Sequence, residues 1–263
     1  MLQLFSRPDR WLARCGRLDC AVHEWRVEDA PAFMRGLRAL FVCDTHVLRR
    51  TRDGDIAALV DRIRSLEPDI LLLGGDYADR AADARRLFDA LEAIRPPLGV
   101  YGCVGNNDAE AWDGPKPLRK AMAKRGMKLL VNQAAEVPFG GGRILIAGVD
   151  ERKFGAPRAA GLYPPAPAPD IYRVLLSHYP CMPDAAPDLM LAGHTHGGQF
   201  NLLGVTPFSI GFERILRRDM RSLAVAGMHR AGDMRLLVSK GVGASRIQWR
   251  IGVRPEIDLI TFG

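Results

Sequence analysis

Apolar runs alternate with amphipathic stretches along the first half of the chain. The short runs predict buried strands over residues 39–43, 69–73 and 98–104. Between and after them, apolar residues recur at helical spacing and predict helices over residues 55–66, 81–94 and 117–125. Strands that alternate with helices are typical of a largely parallel sheet covered by helices. This part of the chain therefore predicts an α/β fold.

A different pattern follows residue 128, where short strands succeed one another. Strands are predicted over residues 128–131, 136–139, 143–149, 172–177, 189–192, 235–239 and 256–262. The glycines at 140–142 separate two of these strands and predict a hairpin turn. We expect one domain with two sheets and outer helices, interrupted by a proline-rich loop at 164–169.

The composition is typical of a globular domain and favours some cellular compartments over others. The chain has 263 residues, of which 48% are hydrophobic, so a substantial core is expected. No apolar run reaches the roughly 18 residues of a membrane span, and the N-terminus lacks a secretory signal pattern. The five cysteines form no CxxC pair, which favours a reducing compartment. A cytoplasmic location is therefore predicted.

The net charge of +7 favours an anionic partner. A phosphorylated small molecule, a phosphorylated lipid and an anionic membrane surface all satisfy it. Nucleic acid is less favoured, because the chain lacks aromatic residues interleaved along a basic face. Nothing in the sequence indicates a protein partner.

Two segments combine basic and apolar residues. Residues 1–36 are interpreted as an N-terminal arm, with a candidate amphipathic helix that Ser6 and Asp9 would cap. Residues 37–263 form the predicted main domain, which contains a basic insert at 200–222 with arginines at helical spacing. Each segment could pack on the domain or dock on an anionic membrane surface. Peripheral attachment at the inner membrane face is therefore a further expectation.

Five predicted strands end in Asp, Asn or His, three of them beside glycine. These ends read Asp44-Thr-His46, Gly-Gly-Asp76, Gly-Asn106-Asn107-Asp108, Ser-His178 and Gly-His194-Thr-His196. In open α/β sheets, ligands bind beyond the carboxyl ends of the strands, so these groups are expected to converge.

The converging groups have the chemistry of a metal site. They comprise two Asp carboxylates, an Asn carbonyl and four imidazoles, a set that suits manganese, iron or zinc. Seven candidate ligands are too many for one four-coordinate ion. They suit two ions about 3.5–4 Å apart that share a carboxylate.

The motifs DTH, GGD, GNND, SHYP and GHTHGGQ, in this order, resemble the calcineurin-like metallophosphoesterase superfamily. The resemblance extends over residues 37–263. The closing stretches at 237–243 and 254–257 are similar to a bacterial phosphodiesterase branch whose members often act at membranes. That branch includes enzymes that resemble UDP-diacylglucosamine pyrophosphatases. The implied fold is a four-layer α/β/β/α sandwich of two mixed sheets flanked by helices.

The resemblance also implies a ligand assignment. Asp44, His46 and His196 would hold one metal ion, and Asn106, His178 and His194 would hold the second. Asp76 would bridge the two ions. The implied activity is cleavage of phosphodiester or pyrophosphate bonds by a hydroxide that bridges the ions, on a lipid-linked or nucleotide-linked substrate. Asp76, Asn107 and His194 would be the catalytic residues.

One position departs from the family pattern. The superfamily usually has His after the Asn of this motif, where the present chain has Asn107. Asn donates a hydrogen bond but delivers no proton, so expulsion of a basic alkoxide should suffer. We therefore predict a preference for good leaving groups: phosphodiesters, pyrophosphates and aryl esters. Asp108 is predicted to cap the following helix, with orientation of Asn107 as the alternative.

Two other functions remain open from the sequence. The positive charge is also compatible with a nuclease or a cyclic-nucleotide phosphodiesterase. The change at Asn107 is compatible with a non-catalytic, metal-bound interaction scaffold. The complete set of seven candidate ligands argues against the scaffold, since a scaffold has no need to keep them.

Overall fold

The fold is built from two stacked sheets and a set of helices. The computed structural model describes residues 12–14, 17–164, 166, 168–202, 205–206, 223–244 and 247–263. The strands are β1 (Leu12–Arg14), β2 (Ala21–Val27), β3 (Arg38–Val42), β4 (Ile70–Leu73), β5 (Val100–Gly102), β6 (Met127–Leu129), β7 (Gln133–Phe139), β8 (Gly142–Gly148), β9 (Ile171–Leu176), β10 (Leu189–Ala192), β11 (Gly227–Ala231), β12 (Met234–Val238), β13 (Trp249–Ile251) and β14 (Glu256–Phe262). Within these ranges the α-helices are α1 (Asp53–Ser65), α2 (Ala81–Leu91), α3 (Asn106–Trp112) and α4 (Pro115–Ala123).

Both large sheets are mixed. The first has six strands in the order β2-β14-β3-β4-β5-β6, with β3 to β6 parallel and β14 antiparallel to β3. The second has the order β11-β12-β10-β9-β8-β7, with a parallel centre and antiparallel edge strands. The short strands β1 and β13 pair separately. Within each sheet, the carboxyl ends of the parallel central strands therefore lie at the same edge.

Side-chain alternation along the central strands creates the separate layers. In β3, Phe41 joins the core between the two sheets, where it packs with residues such as Ile146 of β8. Its neighbour Leu40 faces the opposite side and joins the helix-covered core with Ile63 and Phe88. Each face of this strand is buried, which is why its sequence is a continuous apolar run.

The four helices of the described ranges all contribute to the core on the outer face of the first sheet. The outer face of the second sheet packs Leu175, Met190 and Leu236 against loop residues, among them Ala159 and Leu162. The predicted α/β class, two mixed sheets flanked by helices, is confirmed. None of the helices in the described ranges is both long and apolar enough to cross a bilayer.

The N-terminal arm differs from its prediction. Leu12–Arg14 is a strand that pairs with Trp249–Ile251, so the predicted helix is wrong for these three residues. Ala21–Val27 is an edge strand of the first sheet, so that sheet begins before residue 37. Residues 1–11 and 15–16 of the arm, and most of the basic insert, including 207–222, lie outside the described residues.

Candidate metal centre

The polar strand ends of both sheets meet at one place. Asp44 follows β3 and Asp76 follows β4, both in the first sheet. His178 follows β9, and His194 follows β10, both in the second sheet. Loops from both sheets therefore supply the site, as expected for a ligand at the carboxyl ends of parallel strands.

A first group of candidate ligands consists of Asp44, His46 and His196, all buried. One atom from each lies within 4.8 Å of the others. Asp44 Oδ1 is 4.0 Å from His46 Nε2 and 3.8 Å from His196 Nε2. These are the three residues that the family resemblance assigned to one ion.

A second group consists of Asp44, Asp76 and His178, again with one atom from each within 4.8 Å of the others. Asp76 Oδ2 is 3.4 Å from His178 Nε2 and also 3.5 Å from His46 Nε2 of the first group. Asp76 therefore lies between the groups, while Asp44 belongs to both. The assignment implied by the family resemblance gave a shared position to Asp76 alone.

The remaining two predicted ligands lie beside the second group. His194 Nδ1 is 3.2 Å from His178 Nε2, and the His194 backbone N–H donates to Asp44 Oδ2 at 3.0 Å. Asn106 Oδ1 accepts a hydrogen bond from the Tyr179 hydroxyl at 3.2 Å. The Tyr179 ring lies 3.9 Å from the His194 ring, centroid to centroid. Tyr179 thus links Asn106 to His194.

The orientation of the imidazoles fits a cation. His46 Nδ1 lies 3.1 Å from Asp79 Oδ1, a contact in which Nδ1 donates its proton. His46 Nε2 then presents a lone pair to the carboxylates, and this buried atom has no hydrogen-bond partner in the described structure. A buried polar atom without a partner is costly unless something else satisfies it. His178 is oriented alike, with Nδ1 3.0 Å from the Gly74 carbonyl oxygen and Nε2 facing Asp76. The donor set therefore fits a divalent cation.

Charge interactions within the site place a proton on His178. Burial lowers the pKa of His178, but the Asp76 carboxylate outweighs it and raises this pKa to about 10. Burial raises the pKa of Asp76, but His178 and His46 outweigh it and lower this pKa below its usual value. The Asp44 pKa is raised, chiefly by burial. A bound divalent cation would take over the role of this proton, since ligating imidazoles must be neutral.

Asn107 holds the central carboxylate. Its backbone N–H donates to Asp76 Oδ1 and its side-chain amide to Asp76 Oδ2, each at 2.9 Å. The same Nδ2 is 3.3 Å from His46 Nδ1. In this arrangement Asn107 positions Asp76 and lies beside the first group of ligands.

Asp108 caps α3, as predicted, because its Oδ2 accepts from the Gly105 backbone N–H at 2.9 Å. The same carboxyl also accepts the backbone N–H groups of Asp76 at 2.7 Å and Tyr77 at 3.0 Å. Burial, and then the charge of Asp76, raise the pKa of Asp108 to about 7. Asp108 therefore fixes the loop that carries Asp76, a role that the sequence did not indicate.

Two glycines leave room for the carboxylates. A Cβ atom at Gly105 would overlap Asp76 Oδ1, and a Cβ atom at Gly193 would overlap Asp44 Oδ2. Only glycine allows the backbone to approach so closely. The glycines that flank the polar strand ends in the sequence thus have a direct steric purpose.

Three residues of the site were missed by the sequence analysis: Asp79, Tyr179 and Arg250. Asp79 and Tyr179 make the contacts described above. Arg250 is fully buried, donates to the Gly243 carbonyl and lies 3.2 Å from His196 Nδ1. The only available signal was the position of Tyr179 directly after His178, since the other two contacts depend on distant parts of the chain.

Comparisons with known proteins agree with this geometry. Residues 37–198 match the model of the calcineurin-like phosphoesterase family, which is more than half of the chain. Phosphodiesterase YaeI of Escherichia coli is 29% identical over 85% of this chain and 81% of its own length. An uncharacterized metallophosphoesterase of Aquifex aeolicus is 30% identical, over 79% of this chain and 78% of its own. UDP-2,3-diacylglucosamine pyrophosphatase LpxG of Chlamydia muridarum is 24% identical, over 68% and 69%.

The family match covers the segments that carry Asp44, Asp76, His178 and the 194–198 loop, which are the segments that converge in the structure. The groups of buried carboxylates and imidazoles supply ligands of the kind that such enzymes need for divalent metals. The chain therefore belongs to the calcineurin-like phosphoesterase family and is a metal-dependent phosphoester hydrolase.

Proposed function

We propose that this enzyme binds two divalent cations and hydrolyses phosphodiester or pyrophosphate bonds. Asp44, His46 and His196 hold one cation, and the second is held by His178 with His194 and Asn106. The single observation that carries this proposal is the position of Asp76 Oδ2, 3.5 Å from His46 Nε2 and 3.4 Å from His178 Nε2. A carboxylate between two imidazole groups is suited to bridge two ions.

A pair of bound cations would activate a water molecule and neutralise charge on the phosphoryl oxygens. The residues of the chain prepare the site for this chemistry. Asn107 and Asp108 fix Asp76 from two sides, through the side chain and the backbone. Asp79 fixes the His46 ring with Nε2 toward the carboxylates. Such preorganisation removes the need to reorder the site during the reaction.

Asn107 determines the leaving groups that the enzyme tolerates. Its amide has no titratable proton and is bound to Asp76 at 2.9 Å, so it protonates no departing oxygen. Expulsion of a basic alkoxide requires such a proton, whereas an aryloxide or a phosphate departs without one. The proposal therefore favours phosphodiesters, pyrophosphates and aryl esters over alkyl monoesters.

The natural substrate is proposed to be lipid-linked or nucleotide-linked. One relative is named a phosphodiesterase and another a UDP-2,3-diacylglucosamine pyrophosphatase, and the latter substrate combines both features. The net charge of +7 suits either anionic class. A location at the cytoplasmic face of a membrane belongs to the same proposal, and cosedimentation with anionic lipid vesicles tests it.

Substitution Asp76→Ala tests the two-cation site. We expect loss of most bound metal in elemental analysis, together with loss of turnover of bis(p-nitrophenyl) phosphate. Asp61→Ala, at an exposed acid on α1 that pairs with Arg64, is the control. Retained turnover in the Asp76 variant, with the metal content of the wild type, contradicts the bridging role. The same elemental analysis of the wild type distinguishes manganese, iron and zinc.

A substrate panel tests the reaction class. Under one metal condition, a lipid pyrophosphate, a cyclic nucleotide, an aryl diester and a sugar phosphate are compared by kcat/KM. We expect the aryl diester and the pyrophosphate to exceed the sugar phosphate. The highest value for the cyclic nucleotide supports the alternative phosphodiesterase, and faster turnover of the sugar phosphate contradicts the argument from Asn107.

A further inference from the structure

A cleft next to the metal centre is lined by arginines that the proposed reaction does not use. It has a volume of about 560 Å³ and is lined by Leu48, Arg49, Arg50, Asp79 and Arg80, with Asp83 and Gln248 completing the wall. This volume lies within the range of about 300–1,000 Å³ typical of small-molecule sites. We call it the arginine cleft.

The arginine cleft borders the metal centre. Asp79 lines the cleft and also lies 3.1 Å from Nδ1 of His46. Leu48, which also lines the cleft, follows His46 by two residues, so its Cα lies within about 7 Å of that of His46. Only the His46 ring lies between the Asp79 carboxylate and the candidate ligand atom His46 Nε2, so the cleft borders the metal centre.

The backbone that carries Arg49 and Arg50 is held in place. Thr51 N–H donates to the Leu48 carbonyl at 2.9 Å, and Leu48 N–H donates to Thr51 Oγ1 at 3.0 Å, which closes a turn around the two arginines. Arg86 of α2 donates to both carbonyl groups of this turn, at 3.2 Å to Leu48 and 2.6 Å to Thr51. The turn is thus anchored to α2, and a fixed position lowers the entropic cost of binding an anion.

The charges of the cleft leave a positive excess. Asp83 pairs with Arg86 at 3.4 Å and faces Arg80 at 4.0 Å, and Asp79 faces His46. Arg49 and Arg50 are exposed and form no ion pair with any residue that the structure describes. Two arginines without an acid, on a fixed turn, offer the planar donors that bind phosphate in a bidentate manner.

We propose that the arginine cleft binds a second phosphate group of the substrate, attached beyond the phosphorus that is cleaved. This inference rests on the proposed function, because it assigns a part of the same substrate. It selects substrates with two phosphate groups over simple diesters. Arg49 and Arg50 are the binding residues, and Arg86 positions their turn.

Two esters of thymidine test this inference. Both carry a p-nitrophenyl phosphate at the 5′ oxygen, and one of them also carries a 3′-phosphate. The probe is release of nitrophenolate by the metal-loaded wild type, by the double variant Arg49→Gln/Arg50→Gln and by the control Arg64→Gln. Arg64 is an exposed arginine near the far end of α1, paired with Asp61.

We expect the wild type and the control to prefer the ester with the 3′-phosphate, mainly through a lower KM. In the double variant, the ratio of kcat/KM between the two esters should fall by about tenfold or more, because hydrogen bonds to a charged group are lost. An unchanged ratio overturns the proposal. If the ratio is unchanged but inorganic phosphate inhibits the double variant more weakly than the wild type, the proposal is also overturned. The cleft is then a site for free phosphate.

The same experiment distinguishes failure of the proposed function from failure of the proposal for the arginine cleft. If the wild type releases nitrophenolate from neither ester, the proposed reaction is contradicted. Calorimetric binding of pyrophosphate to the three proteins in EDTA then tests whether the arginine cleft binds phosphate groups. Weaker binding by the double variant alone supports the arginine cleft, and equal binding by all three proteins overturns it.

Discussion

Five of the seven candidate ligands adopt a backbone conformation that L-residues rarely use. The φ angles are 51° for Asp44, 41° for His46, 54° for Asp76, 69° for His194 and 51° for His196. A residue other than glycine in this left-handed region costs about 1–2 kcal/mol. Backbone hydrogen bonds hold the strained segment. The Asp44 N–H donates to the Gly75 carbonyl, and the His46 N–H donates to the Asp76 carbonyl, both at 3.0 Å. Strain of this kind concentrates at functional sites.

The contact between Asp79 and His46 predicts a role in metal binding. Asp79→Ala removes the acceptor of the His46 Nδ1 proton, so the ring loses its fixed orientation. We expect metal affinity to fall by about 10- to 100-fold, as for other residues that orient ligating histidines. Calorimetric titration with Mn²⁺ measures this, with Asp61→Ala as the control. Equal affinity in the two variants contradicts the orienting role.

Substitution of Asn107 by His is expected to change the substrate preference. Asn107→His introduces a titratable donor beside the site, at the position where the family usually has one. We expect kcat/KM for an alkyl phosphate to increase relative to that for an aryl diester, by about tenfold or more, since a positioned acid contributes about 10²–10⁴. Elemental analysis must show unchanged metal content, because the variant also loses the amide contact to Asp76. A constant ratio at full metal occupancy refutes this explanation of the preference.

At the scale of elements, apolar runs predicted the central strands and the site that follows them. The predicted strand 189–192 and the hairpin around 140–142 agree with the structure. Edge elements were harder to predict: Ala21–Val27 has several exposed positions, and its partner in the sheet is the last strand of the chain. The short helix Asn106–Trp112 has its apolar pattern interrupted by acids.

The geometry of the site was only partly accessible from the sequence. The seven candidate ligands were visible as residue types at strand ends. The sharing of Asp44 between two groups was not, because it depends on the positive φ angles of the loops. Asp79 and Arg250 reach their histidines through contacts over 33 and 54 residues of chain, and no local pattern encodes such contacts.

Strand β14 carries an acid that predicts a pH effect on stability. Asp258 is fully buried, and its Oδ1 accepts from Trp25 Nε1 at 2.8 Å, with Ser239, Glu256 and Lys240 as other polar neighbours. Burial, and then the charge of Glu256, raise the pKa of Asp258 to about 7. Between about pH 4, near the usual Asp pKa, and pH 7 the folded state holds a proton that the unfolded state has lost. The free energy of unfolding therefore falls as pH rises through this window.

Asp258→Asn should remove this dependence. The amide keeps an oxygen for Trp25 and carries no charge, so we expect stabilisation by roughly 1–3 kcal/mol above pH 7 and little change near pH 4. Urea unfolding of both proteins in EDTA at a series of pH values measures the difference. Parallel pH profiles for the variant and the wild type contradict a titrating Asp258.

At the scale of the whole molecule, the metal centre joins the two sheets. Asp44, His46 and Asp76 belong to loops of the first sheet, and His178, His194 and His196 to loops of the second. Between the sheets at this edge lie charged groups instead of the apolar side chains found deeper in the core. Bound cations would therefore stabilise the folded state as a cross-link between the two layers, in addition to supporting the reaction.

This arrangement predicts a large effect of metal removal. A ligand present at about 100 times its Kd stabilises the folded state by about 2.7 kcal/mol, and more for two ions. For a chain of this size, each kcal/mol moves the Tm by about 2–4 °C, so EDTA should lower the Tm by roughly 5–10 °C. Scanning calorimetry before and after chelation, with Mn²⁺ or Zn²⁺ added back, measures the shift. The variant Asp76→Ala should show little response to either treatment, because it lacks the carboxylate between the two groups. An equal response of variant and wild type would place the stabilising ions elsewhere in the molecule, and the sheets would then be joined without them.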